Sequence, residues 1–179
     1  MFYISDIFTS KPEKTLTDLQ EKVYNTLEEL EISYERVETD VAISMDDCKM
    51  INEKLDMDMV KTLFLCNRKK TEFYLYITVG DKKFDTKAFS KELDISRVSF
   101  VQGELFEEIL KTEIGAATVF SALIDGENKI QIVFDSDVIK NEWYGCSDGV
   151  NTGYMKIRTK DILEKVMPYS KHEYKVITM

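Results

Sequence analysis

Lys61 sits inside an apolar run, Met59-Val60-Lys61-Thr62-Leu63-Phe64-Leu65. If that run is a strand, alternation places Lys61 on the face of Leu63 and Leu65. An ammonium group on an apolar face either snorkels to water or meets an anion. The first reading makes Lys61 a strand-end side chain. The second makes it a phosphate or carboxylate anchor in a cleft. Two other stretches carry chemistry. Gly115-Ala116-Ala117-Thr118 is a run of small residues that a ligand can approach closely, and its N–H groups can face an oxyanion. The same run also suits a tight turn into a strand. Gly145 to Gly153 puts Ser147, Asp148 and Asn151 on one glycine-containing loop, which either binds or merely turns.

Nucleophile–base chemistry finds little else here. The one histidine, His172, lies in the charged stretch Ser170-Lys171-His172-Glu173 and reads as an exposed side chain. There is no GxSxG elbow. Cys48, Cys66 and Cys146 are widely spaced and form no CxxC pair, so they read as reduced thiols rather than zinc ligands. Adjacent Asp46 and Asp47 leave a carboxylate Mg²⁺ site open, beside the plainer reading of a solvated acidic pair. An enzyme made from this chain needs a reaction that proceeds without a strong general base.

The elements that must hold these residues follow from periodicity. Leu16, Leu19, Val23, Leu27 and Leu30 predict a helix over Thr15 to Ile32, capped by Thr15 with Asp18 three residues on. Tyr34 to Glu38 reads as a short strand. Ser44 with Asp47 marks the start of a second helix through Leu55. Met59–Cys66 and Glu72–Val79 form a hairpin about the polar turn Asn67 to Thr71. A helix follows at Lys87–Leu93, a strand at Val98–Val101 and a helix at Glu104–Lys111. Val119–Ile124 and Ile130–Phe134 are expected as a second hairpin about Asp125-Gly126-Glu127-Asn128. Glu142–Cys146 pairs with Tyr154–Arg158. Thr159 caps a last helix to Met167, and Glu173–Ile177 is a terminal strand. The expected class is α+β, a curved and mostly antiparallel or mixed sheet with flanking helices. Both prolines lie near the ends and no linker divides the middle, so residues 1–179 read as one domain with an N-terminal extension over 1–14.

The 179 residues are 44% hydrophobic and 32% charged, enough for a substantial core. No GxGxxG or GxxxxGK[ST] pattern occurs. No apolar run suits a membrane span and no targeting segment is read, so a cytoplasmic protein is expected. The net charge of −9 argues against broad nucleic-acid binding. The charge is uneven, however: eight basic residues against three acidic ones between Lys61 and Lys91 leave that stretch at +5. Such a stripe, with Arg68, Lys69 and Lys70 at its turn, suits a partner gripped at one place, such as an RNA end. It also suits a solvated hairpin edge.

Three stretches in order resemble the YbaK/prolyl-tRNA-synthetase-associated editing domain family. Lys61-Thr62-Leu63-Phe64-Leu65 is similar to its Lys-Asn-Leu-Phe-Leu motif. Gly115 to Asp125 resembles its Gly-x-x-x-Pro-Phe-x-Leu-Ile segment, and Val150-Asn151-Thr152 resembles the Asn-Thr of its His-Pro-x-x-Asn-Thr segment. The likeness extends over roughly residues 20 to 178. It implies hydrolysis of a mischarged tRNA, typically alanyl-tRNA bearing the proline anticodon, with no metal or organic cofactor. It implies that Lys61 holds the tRNA 3′-terminal phosphate or ribose and that the ester carbonyl meets water at Gly115. Ala116, Thr118, Val119, Ser147, Asp148 and Asn151 would line the amino-acid end. Thr39-Asp40 stands where the family has an earlier His-Pro, Ser147-Asp148 where it has the later one, and Val119 where it has proline. A non-catalytic module binding an aminoacyl or nucleotide end is the competing expectation. The tRNA acceptor end is the expected partner, and a homodimer is open.

Overall fold

The computed structural model describes residues 1–179. Several of its helices begin where a side chain satisfies one of their first free N–H groups. Helix α1 (Asp18–Glu29) is capped by Thr17: its hydroxyl accepts from the Gln20 amide at 3.2 Å while the Gln20 side chain accepts from the Thr17 amide at 3.1 Å. The start therefore lies two residues beyond Thr15, because Thr17 has the glutamine that completes the reciprocal pair and Asp18 falls inside the first turn. Strand β1 spans Tyr34–Glu38. Helix α2 (Met45–Leu55) starts at Ser44 with Asp47, as its sequence requires.

Strands β2 (Val60–Cys66) and β3 (Phe73–Val79) form the antiparallel hairpin, with Lys61 opposite Thr78. Helix α3 (Thr86–Glu92), the two-residue β4 (Ser99–Phe100) and α4 (Gly103–Leu110) follow. Val119–Ile124 is not a strand but a 3₁₀ segment, fully buried over its first four residues and capped by the Thr118 hydroxyl. Consequently β5 (Ile130–Asp135) has no hairpin partner; it runs parallel to β3, and β8 (Tyr174–Ile177) runs parallel to β5. The short α5 (Ser136–Ile139) leads to β6 (Trp143–Ser147), antiparallel to β7 (Gly153–Arg158). One helical stretch then combines α6 (Thr159–Asp161), a π segment (Ile162–Val166) and α7 (Met167–Ser170). Arg158, not Thr159, stands at its start, and the buried Thr159 hydroxyl has no partner.

The architecture is α+β with two sheets. The larger is mixed, in the order β4-β2-β3-β5-β8; the smaller is antiparallel, β1-β7-β6. The main core lies between the sheets and under α1 and the last helical stretch, around Leu19, Leu75, Phe120, Phe134, Met155 and Ile162. A second cluster of Leu65, Tyr74, Tyr76 and Phe89 covers the other face of the larger sheet. Burial on both faces explains why β3 reads as an almost unbroken apolar run. Residues 1–14 lie along β1, with Ile4 bridged to Thr39 and Phe8 to Arg36. His172 is buried, not exposed: Nε2 is 2.9 Å from the Asp125 carboxylate and Nδ1 is 2.8 Å from the Ser170 carbonyl. The ring ties the segment before β8 to the turn before β5.

Candidate functional site

The two sheets meet at a single parallel bridge, Met59 to Gly145. Farther along β2, pairing on the outer edge resumes only at Leu65 and Cys66, opposite Phe100 and Ser99 of β4. Between these points the outer edge of β2, Val60 to Leu63, has no strand neighbour. A cleft of about 1340 Å³ opens there, lined by Lys61, Phe64, Cys48, Gly115, Ala117 and Ser147 among others. Helix α2 forms one wall; the start of α4 and the Ile114–Ala117 turn form the other.

Lys61 is half-buried in this cleft. Its ammonium donates to the backbone carbonyl of Lys82 and has no acidic partner. Lys82 is the opposite case. Its Nζ lies 2.7 Å from Asp135 Oδ2, 2.7 Å from Asp137 Oδ2 and 3.0 Å from the Met179 carbonyl. Burial works against the charge on Lys82, but the two carboxylates outweigh it and raise its pKa. Asp135 is fully buried, which alone would push its pKa up; Lys82, the Asp137 amide and the Thr78 hydroxyl together hold it below the ordinary carboxylate range. The turn that gives Lys61 its one protein partner is thus pinned from behind by an ion-paired network.

Gly115 lies at the mouth of the wall turn with φ +97°, a left-handed conformation that a side chain would strain. No atom stands within 4 Å of where a Cβ would be, so the space above it is open. Ala116 is fully buried, and its amide donates to the Glu113 carbonyl at 3.1 Å. The amides of Gly115 and Ala117, which both line the cleft, donate to no protein acceptor. Two free N–H groups on a water-accessible turn are what an oxyanion site requires.

Ser147 reaches the cleft, but its hydroxyl is already engaged. It accepts from the Gly149 amide at 2.9 Å and lies 3.2 Å from the carbonyls of Ala116 and Val150. Asp148 does not line the cleft. It is buried and accepts from the Tyr24 hydroxyl and, at 3.3 Å, from Gln20 Nε2. Burial raises its pKa above the usual carboxylate range, against the pull of these donors. Gly153 leaves room for that carboxylate, since a Cβ there would stand 2.5 Å from Asp148 Oδ1. Thr118 and Val119 are fully buried behind the wall turn, and the Asn151 amide contacts the Glu113 carboxylate at 3.4 Å. Thr39 and Asp40 lie off the cleft too: the Asp40 carboxylate accepts from the Tyr3 amide at 3.0 Å, and the Thr39 amide donates to the Thr152 carbonyl at 2.9 Å. Arg68, Lys69 and Lys70 sit at the far turn of the β2–β3 hairpin, outside the cleft.

The structure adds cleft residues that spacing did not single out. Cys48 and Asn52 come from α2, Tyr154 from β7, and Phe100 and Gln102 from the β4–α4 junction. Burial, and then Asp47, raise the Cys48 thiol; burial holds the Cys146 thiol far above its normal range. Neither is poised as a thiolate nucleophile. The signal that marks this wall is Ile43 and Met45, left 89% and 86% exposed at the rim, where a surface built only for solubility would be polar.

A profile described as the aminoacyl-tRNA editing domain matches residues 42–165, which include β2, the wall turn and the β6–β7 loop. The chain belongs to the aminoacyl-tRNA editing domain family. Within it, the chain is 26% identical over 163 residues to the prolyl-tRNA editing protein ProX of Acetoanaerobium sticklandii, covering 90% of this chain and 98% of that one. Its fold is similar to a crystal structure described as a candidate trans-editing enzyme for prolyl tRNA synthetase. There the TM-score is 0.64 with 14% identity, over 92% of this chain and 99% of the other. The fold is also similar to that of the hypothetical protein APE2540, at a TM-score of 0.63 and 11% identity, over 87% and 98% of the two chains. No helix is long and apolar enough to cross a membrane.

Proposed function

We propose that this chain is a trans-acting aminoacyl-tRNA deacylase, with alanyl-tRNA bearing the proline anticodon as its substrate. One observation carries the reading. A single cleft unites a lysine that has no acidic partner with two unused backbone N–H groups at Gly115 and Ala117. The likeness to a prolyl-tRNA editing protein over nearly the full length of both chains supports the substrate.

The chemistry suits the groups present. An aminoacyl ester is already activated, so the protein must hold it, place water and stabilise the charge that develops on the carbonyl oxygen. Lys61 anchors the 3′-terminal phosphate or ribose as a point charge. The amides of Gly115 and Ala117 receive the oxyanion as water adds to the carbonyl carbon. The ester C–O bond then breaks, the proton goes to the departing ribose oxygen, and free amino acid and tRNA leave. Selectivity would come from exclusion: a site that admits alanine and is too small for proline rejects it on size, which is stronger than discrimination by one missing methylene. The reaction takes place in the cytoplasm, where charged tRNA is found.

The test is release of labelled amino acid from alanyl-, seryl-, cysteinyl- and prolyl-tRNA by the purified chain. Release from alanyl-tRNA is expected, with Lys61→Ala lowering kcat/KM by about 100-fold. Tight binding of charged tRNA with no release from any of the four would reduce the protein to a binding module and overturn the hydrolytic reading.

A further inference from the structure

A second groove, of about 500 Å³, adjoins the cleft on the far side of β4. Phe100, Val101 and Gln102 line both. The charged residues lining the groove are Lys70, from the β2–β3 turn, and Arg97, from the segment before β4; no carboxylate lines it. Neither cation makes an ion pair in the protein, and both are exposed. Arg68 and Lys69 stand beside Lys70 on the same turn. On a chain of net charge −9, this is a local concentration of free positive charge. Phe100 stands between the two cavities with 46% of its surface exposed, its ring held edge-on by Phe84 at 5.7 Å. Phe100 thus offers an aromatic face to solvent at the point where the two cavities meet.

We propose that this groove is a binding track for the single-stranded RNA that leads away from the terminal nucleotide, a reading that rests on the tRNA-end function of the cleft. Lys70 and Arg97 pair with backbone phosphates, and Phe100 gives a base a face to stack on at the boundary between the cavities. Cations interleaved with an exposed aromatic suit a nucleic-acid strand better than an acidic peptide, which has no use for the ring. The spacing is consistent. Lys61 and Leu65, which pairs with Phe100, are four residues apart on β2, roughly 13 Å at about 3.3 Å per residue.

The test uses the full chain and uncharged tRNA transcript, with binding read by fluorescence anisotropy across a salt series. The double variant Lys70→Ala/Arg97→Ala is expected to weaken binding at least about tenfold and to flatten the log–log salt slope by about 1.4, at roughly 0.7 per phosphate contact on a single strand. Phe100→Ala is expected to weaken binding about tenfold and Phe100→Tyr to restore it. In turnover, the double variant raises KM and leaves kcat. All these positions are exposed, and an unchanged melting temperature checks the fold. Unchanged affinity and slope in the double variant overturn the track, even where Lys61→Ala lowers turnover as expected and so upholds the function of the cleft. Groove-dependent binding without amino-acid release upholds the track and rejects the hydrolysis. Competition by an acidic peptide as effective as by RNA overturns the assignment to RNA.

Discussion

Asp135 and Asp148 are both buried carboxylates, and they sit in opposite kinds of surroundings. Asp135, at the end of β5, faces an ammonium group, a hydroxyl pair and a backbone amide. Asp148, on the β6–β7 loop, faces a phenol and a primary amide and has no ion pair. The cation at Asp135 keeps it charged in the fold, while burial among neutral donors drives Asp148 towards its protonated form. The first region anchors the turn whose Lys82 carbonyl receives Lys61. The second holds the β6–β7 loop against α1. Charge is therefore stored rigidly behind the lysine end of the cleft, while the loop end is braced by a group that can change its protonation.

The largest expected effect breaks the first region. Asp135→Ala leaves Lys82 with Asp137 and the Met179 carbonyl but takes the acceptor from the buried Tyr76 and Thr78 hydroxyls, and should cost about 3 kcal/mol in denaturant unfolding. Because its pKa is lowered in the fold, this stabilisation is present above the ordinary carboxylate range and is lost as pH falls through the folded value. Wild type and variant should therefore converge in acid. Lys61→Ala comes next: about 100-fold in single-turnover deacylation, with little change in unfolding midpoint, since no ion pair is lost. If Lys82→Met also depresses kcat and Lys82→Arg restores it, the network positions Lys61 rather than merely stabilising the sheet.

Asp148→Asn sharpens the contrast through its sign. With its pKa raised, Asp148 contributes most to stability below the ordinary carboxylate range, and the contribution declines as pH rises through the folded value. Unfolding free energy should fall with rising pH in the wild type relative to the variant. A parallel pH profile in the two proteins would contradict burial as the cause. The smallest effect is expected from Arg68→Ala with Lys69→Ala: within about 0.5 kcal/mol in stability, because neither is buried or paired.

Much of this was legible in the chain. Ser44 with Asp47, the β2–β3 hairpin and the β6–β7 pair follow from local rules, and so does the face that Lys61 shares with Leu63. What alternation could not resolve is Val119–Ile124. Five apolar residues around Ser121, the first four positions of the segment buried, read alike as strand or tight helix, and the Thr118 cap decides only once the fold has enclosed them. The parallel placement of β5 between β3 and β8 is equally a long-range outcome. His172 looked solvent-bound because its neighbours are charged, yet its partner is Asp125, far off in sequence. Asp148 was expected at the pocket because Ser147-Asp148 stands where the editing family has its later His-Pro. Its direction is set by Tyr24 and Gln20 on α1, which no local pattern links to it.

The pairing of β1 with β7 carries one further consequence. Tyr34 meets Ile157, 123 residues further along the sequence, and the cleft opens only where this sheet touches β2. Contacts so distant along the chain must wait for large loops to close, which makes folding slow compared with a protein of local contacts. The Lys61 hairpin can form early by itself, but without β6 and β7 it is a ribbon with no cavity beside it. A fragment ending before residue 143 should therefore contain the anchoring lysine and hold nothing.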